Sequence, residues 1–313
     1  MTAAIRVQNL VKTYRCKPPV EAVRGIDFQI EVGQCYGVLG PNGAGKTTTI
    51  EILEGLLAAT SGEVEVLGMN WNDHADSIRQ RIGVSLQETR LSERLSVGET
   101  LHLFRSFYPV GIDADEAMRR VSLEAKKSAW VRTLSGGQKQ RLAVATALVG
   151  DPELIFLDEP TAGLDPSSRR QMWEIIESFG RHEKTVLLTT HYMEEAERLC
   201  DRVAIFDEGK IIAEGTPAEL IRSLGAEHVI EFTIDHDAND FGDEAIVSIP
   251  TVEKMEQDGG LFHLTVGQPH VVLPELISRL ASKGISLSSL TTRHASLEDV
   301  FVSLTGKHLL ESA

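Results

Sequence analysis

Apolar residues recur along the chain in two spacings, and the switch between them predicts its elements. Residues 35–39 and 154–157 are unbroken apolar runs, the pattern of strands buried on both faces of a parallel sheet. Shorter stretches at 5–10, 26–30, 61–68, 82–86 and 186–188 read as further strands. Between them the spacing turns helical. Leu142, Ala145, Leu148 and Val149 share one face of a helix that follows Gln138, and Met172, Trp173, Ile176 and Phe179 share one face of the next. Asp165-Pro166 gives that second helix a cap and a first-turn proline, and Gly180 is expected to stop it. Strands alternating with helices predict an α/β fold around a parallel sheet.

Two stretches break this rhythm. Residues from about 88–133 read as an inserted helical subdomain, with helical spacing at 97–104 and a short amphipathic segment at 116–121. From residue 225 the pattern becomes strands at 229–234, 261–266 and 285–290, with helices at 272–283 and from Ser296. The expected organisation is a first domain over 1–224 and a small α+β domain over 225–313, in which nothing looks catalytic.

Candidate chemistry begins where the run at 35–39 ends. Gly40-Pro41-Asn42-Gly43-Ala44-Gly45-Lys46-Thr47-Thr48 fits G-x-x-x-x-G-K-[ST] between a strand and a helix, the P-loop pattern. A triphosphate needs several converging backbone N–H donors, and glycines let the chain curl closely enough to supply them. The following helix adds its unpaired amides and positive dipole end. Lys46 then faces the β- and γ-phosphates, and Thr47 a magnesium ion. Leu134-Ser135-Gly136-Gly137-Gln138 opens another helix with Ser135 as its N-cap, a second anion site. On its own it reads as a well-capped helix. Asp158-Glu159 closes the second buried run, a couple of dozen residues after this turn.

With these residues in place, the first 224 residues resemble the ATP-binding-cassette ATPases, whose motifs recur here in order. Tyr14 is similar to the aromatic that stacks on adenine, residues 40–48 to Walker A, and Gln87 to the glutamine loop. Residues 134–138 resemble the signature, 154–159 Walker B, Ala162-Gly163-Leu164-Asp165 the D-loop, and His191 the switch histidine. The resemblance implies a P-loop NTPase with a RecA-like core, an antiparallel β subdomain and a helical subdomain. It implies ATP and Mg2+ as cofactors, the metal held by Thr47, Gln87 and Asp158. Glu159 would be the base, assisted by His191 and Gln87. Tyr14, residues 40–48, Ser135, Gly136, Gly137, Gln138 and Asp165 would hold nucleotide. In the family, two phosphate sites meet across a head-to-tail pair, so a second copy or a homologous ATPase is an implied partner. The stretch 295–306 is similar to the tail of the drug- and antibiotic-export branch of bacterial ATPases. The insert between Tyr108 and Thr133 is shorter than the family's habit.

Composition narrows the partners. A formal charge of −15 argues against a non-specific nucleic-acid binder, which needs clustered Lys and Arg. No apolar run reaches the ~18 residues that cross a bilayer. No charged-then-apolar leader is read at Met1-Thr2-Ala3-Ala4. Cys16, Cys35 and Cys200, scattered and odd in number, fit a reducing compartment. The expectation is a cytoplasmic motor, peripheral on the inner face of the membrane through an integral-membrane permease. It would power export of drug-like or lipophilic compounds. One rival is a soluble cassette ATPase of translation or DNA repair, against which stand the single cassette and the missing heptads. The other is a small-molecule kinase, which leaves Ser135 and His191 without a task.

Overall fold

The computed structural model describes residues 3–87, 89–235 and 244–306; Met1, Glu88 and Ala313, at the ends of expected segments, lie outside them. A break between compact units falls between Thr216 and Pro217. The boundary expected after Leu224 stands one short helix further on.

The first unit begins with β1 (Ala3–Tyr14) and β2 (Val20–Glu31), a long antiparallel pair. β3 (Cys35–Leu39) leads through the glycine turn into α1 (Lys46–Leu53), and β4 (Ser61–Val66) returns beside β1. There follow α2 (Trp71–Arg79), β5 (Ile82–Ser85), α3 (Val97–Arg105), α4 (Ala114–Arg120) and α5 (Gly136–Leu148). Next come β6 (Leu154–Asp158), α6 (Pro166–Arg181), β7 (Thr185–Thr190) and α7 (Met193–Leu199). The hairpin of β8 (Arg202–Asp207) and β9 (Lys210–Gly215) ends the unit. One sheet has the order β2-β1-β4; the other has the order β5-β6-β7-β3-β8-β9. The second is parallel except for β8–β9, as the alternation of strands and helices predicts.

Burial explains the pattern. Leu154, Ile155, Phe156 and Leu157 in β6 are no more than 1% exposed, because helices cover both faces of a parallel sheet. Each such side chain contributes about 1.5–3 kcal/mol. Placing β6, β7 and β3 side by side brings their carboxyl ends, and hence Asp158, Thr190 and Gly40, to one edge. The inserted stretch is helical as expected, with α3 opened by a capping box between Ser96 and Glu99. Gly180, in contrast, does not stop α6, which runs to Arg181. Glu183, at φ 55°, makes the left-handed turn that glycine was expected to supply.

The second unit contains α8 (Pro217–Arg222), β10 (His228–Ile234), α9 (Glu244–Val247), β11 (Val252–Asp258), β12 (Leu261–Val266), α10 (Pro269–Ser282), β13 (Leu287–His294) and α11 (Leu297–Thr305). Its antiparallel sheet has the order β11-β12-β10-β13, with Phe232 stacked on Phe262 at 4.9 Å in its core. The strand expected at 285–290 is displaced to Leu287–His294. There it pairs His294 with His228 at one end and Leu287 with Ile234 at the other.

Candidate active site

β3 delivers the chain to Gly40, where φ is 148° and an added Cβ would lie 2.3 Å from the Phe206 carbonyl oxygen. Gly45, at φ 98°, is as enclosed, its Cβ position 2.4 Å from the Ala22 carbonyl oxygen. Only glycine fits either place. Gly45 caps α1 without a side-chain hydrogen bond, which leaves the helix's first amides and its positive end for a ligand. Lys46 is 7% exposed and donates to the carbonyls of Gly40 at 2.6 Å and Pro41 at 3.0 Å. Burial lowers its pKa, opposed by the charges of Glu159 and Asp158.

At the end of β6, Asp158 accepts a hydrogen bond from the Thr189 hydroxyl. Glu159 sits at φ 46°, a left-handed conformation that costs a non-glycine residue about 1–3 kcal/mol. Two acceptors on β7 hold it there: the Glu159 N–H donates to Thr189 Oγ1 at 3.0 Å and to the Thr189 carbonyl at 3.2 Å. Its carboxylate is the meeting point of the site. Gln87 Nε2 donates to Glu159 Oε2 at 3.1 Å, and His191 Nδ1 lies 3.3 Å from the same oxygen. The His191 hydrogen bond, against the effect of burial and with the Lys46 charge in support, holds the Glu159 carboxyl below the ordinary carboxylate range.

A cavity of about 770 Å³ joins these groups. Of the residues singled out in the sequence, 40–43, 45–48, Gln87, Asp158, Glu159 and His191 line it. Ala44 is buried behind the turn, and its N–H bonds the Pro41 carbonyl. Tyr14 ends β1 with its hydroxyl 3.3 Å from the Thr48 hydroxyl and Lys12 5.3 Å from its ring centre. Glu21 and Arg24 at the start of β2, and Glu208 in the turn between β8 and β9, also line the cavity and lie outside the stretches singled out in the sequence. Glu54, one position past α1, was missed as well. It is 5% exposed, and its Oε1 has no hydrogen-bond partner among the described residues. Burial, with the charges of Asp158 and Glu51, pushes its carboxyl up to about 8.

The signature residues lie outside the cavity lining. Ser135 caps α5 reciprocally: the Gln138 N–H donates to Ser135 Oγ at 3.3 Å, and the Ser135 N–H donates to Gln138 Oε1 at 3.0 Å. A Cβ on Gly137 would come within 2.6 Å of Ser168 Oγ, whereas one on Gly136 would meet nothing. Ser168 in turn donates to Asp165 Oδ2 at 2.6 Å, and Asp165 caps α6. The signature turn and the start of α6 therefore form one packed face.

The chain is similar to known proteins in sequence and in fold. A model of the ABC transporter family matches residues 23–162. A model of the ATP-binding protein DrrA1-3-like C-terminal domain matches residues 215–305. The chain is 38% identical over 320 residues to Nod factor export ATP-binding protein I of Cupriavidus metallidurans, covering 99% of both chains. It is 40% identical to the protein of the same name from Burkholderia orbicola, covering 98% of each. Among solved structures, a dimeric post-hydrolysis ATP-binding cassette bound to ADP and Pi matches with TM-score 0.62 and 27% identity, over 68% of this chain and 98% of that one. A Clostridium perfringens cassette, part of the ABC transporter complex cbiONQ, also matches with TM-score 0.62 and 27% identity. That match covers 72% of this chain and 95% of the other.

Proposed function

Since the chain belongs to the ATP-binding-cassette transporter family and is an ATPase motor subunit of the export type, we propose that it works as one half of an ATP-sandwich pair driving a separate membrane permease. One observation carries this reading. Gln87, His191 and Lys46 converge on Glu159 and Asp158 in a single cavity, while the Ser135 anion site stays outside its lining. The amides of the P-loop and Lys46 bind the β- and γ-phosphates, with Tyr14 against the adenine at the rim. Glu159 takes the proton of the attacking water. Gln87 and His191 turn to the γ-phosphate when it competes for them, which releases the carboxylate oxygen they share. Ser135, Gly136, Gly137 and Gln138 of the second copy, beside its Asp165, close over that phosphate and stabilise its developing charge.

Mg2+ fits the donors present. Thr47 and Gln87 offer neutral oxygens beside the Asp158 carboxylate, the sparse protein set this ion takes when substrate phosphates complete its shell. When bound it neutralises phosphate charge.

The permease is proposed from surface chemistry. Leu86, next to Gln87, and Leu103, Phe107 and Val110 of the inserted helical stretch are 42%, 45%, 63% and 77% exposed. Such apolar exposure marks an interaction face. Among the described residues no helix is long and apolar enough to cross a membrane, so attachment to the membrane would run through that partner. A lipophilic or drug-like cargo is the reading that accords with relatives named as export proteins.

The test begins with the neighbouring reading frame: a multi-span membrane protein encoded there is co-expressed with this chain. Co-purification in detergent, with ATP hydrolysis that changes on reconstitution into vesicles, is the expected result. Hydrolysis that responds to ribosomes or DNA and not to the membrane partner would overturn it.

A further inference from the structure

His191 has a neighbour on each side. Its Nδ1 faces Glu159, and its ring lies 4.0 Å, centre to centre, from the ring of Tyr192. Tyr192 is itself anchored. Its N–H donates to Thr190 Oγ1 at 2.9 Å, which tightens the turn out of β7. On its other contact the guanidinium carbon of Arg169 stands 4.2 Å from the Tyr192 ring centre.

Arg169 is an unusual cation to find there, because its Nε is buried without a hydrogen-bond partner among the described residues. A buried N–H left unpaired is costly unless something else compensates. The compensation here is the π-face of Tyr192 and the charge of Glu195 on α7, which acts on Arg169. Glu195 is fully buried and is fixed by the indole of Trp173, whose Nε1–H donates to it at 2.9 Å. Arg169 also lies one turn past Asp165, the cap of α6, and its N–H bonds the Asp165 carbonyl. The cap of α6, Arg169, Tyr192, His191 and Glu159 thus form an unbroken series of contacts.

We propose that Tyr192 is the positioning residue of the switch histidine, and that Arg169 sets its place from the start of α6. The proposal rests on the reading of His191 and Glu159 as partners in ATP hydrolysis. Tyr192 touches no reacting atom. It limits where the imidazole can stand, and a shift at the start of α6 reaches His191 through the Arg169–Tyr192 stack.

The experiment measures kcat and KM for Mg-ATP, and binding of a fluorescent ATP analogue, on the full chain. Tyr192→Leu keeps apolar bulk and removes the π-face; Arg169→Met keeps the stem and removes the charge. Each is expected to lower kcat by about tenfold, the loss of one desolvated cation–π contact, with KM and analogue binding within about twofold of wild type. Tyr192→Phe restores kcat, and Tyr192→Leu with Arg169→Met costs no more than the worse single change, since both break one contact. Wild-type kcat in Tyr192→Leu overturns the proposal. So does a fall in kcat, analogue binding and melting temperature shared by Tyr192→Leu and Tyr192→Phe, which marks a packing role only. His191→Ala is the separate control. If it hydrolyses ATP at the wild-type rate, the reading of His191 fails, and the positioning role falls with it.

Discussion

Each unit of the chain gathers acidic and basic side chains into a cluster, and the two clusters obey opposite rules. In the second unit Arg293 donates to both oxygens of Asp299 at 2.7 and 2.8 Å and to Glu231 at 2.7 Å. Asp299 also accepts from the Ser296 N–H at 2.7 Å, so one carboxylate closes the capping box of α11 and pins that helix to β13. Every charge there answers another within the unit. In the first unit Lys46 has only P-loop carbonyls, Glu159 is held at a strained φ, and an oxygen of Glu54 has no partner among the described residues. Lys46 and Glu159 line a cavity, and Glu54 is buried one position past α1. Where charges are matched internally they serve stability, and where they converge unmatched on open space they serve chemistry.

The contrast is sharpened by removing one carboxylate at a time. The largest effect is expected from Glu159→Gln, with kcat lower by about 10²–10⁴-fold as a general base is lost and binding of a fluorescent ATP analogue retained. Asp299→Ala should do the reverse. It removes two of the hydrogen bonds of Arg293 and leaves Glu231 as its remaining carboxylate, at a cost of about 1–3 kcal/mol after discounting for the exposure of Arg293, read as faster hydrogen exchange in β13 and α11 with KM for ATP unchanged. A proportional loss of ATP hydrolysis would break the contrast.

The two regions also differ in the sign of their pH response. Burial raises the Asp299 pKa, but the Arg293 hydrogen bonds and the Ser296 amide outweigh it and hold the carboxyl below its ordinary range. Its contribution is present above the ordinary carboxylate pKa and is lost as pH falls through the lower folded value. Glu54 is raised to about 8, so the folded state holds a proton that the unfolded state has released. Its contribution is full below the ordinary carboxylate value and is lost as pH rises through about 8. Glu54→Gln should therefore gain about 1–2 kcal/mol on the nucleotide-free wild type between pH 6 and pH 8, measured by denaturant unfolding. Parallel stability curves for the two proteins would show that Glu54 is not held neutral.

Much of the site was legible in the residues because phosphate chemistry leaves few choices. Gly40 and Gly45 are enclosed by backbone oxygens, and a buried strand has to present Asp158 at its end. Caps were legible for the same reason: Ser135 and Asp165 sit at α5 and α6 as their side chains demand. β3 and β12 also begin and end where their apolar runs do. Other parts could not be read. β11 carries polar residues at an edge of its sheet, where alternation is weak, and the β8–β9 hairpin turns at Glu208-Gly209, a glycine cue without the Asn or Asp that usually precedes it. The wall contributed by Glu21 and Arg24 depends on a bulged β1–β2 pairing. Arg169 and Tyr192 meet only because α6 and α7 pack together beside β7, which no local pattern records.

The proposed sharing of the site between two copies is tested most directly by light scattering on Glu159→Gln with saturating Mg-ATP. The expected result is a particle of twice the chain's mass, returned to the single-chain mass by adding Ser135→Arg although the ATP analogue still binds. A Glu159→Gln protein that holds nucleotide and keeps the mass of one chain would contradict the account, as would a pair that forms equally well with Ser135→Arg.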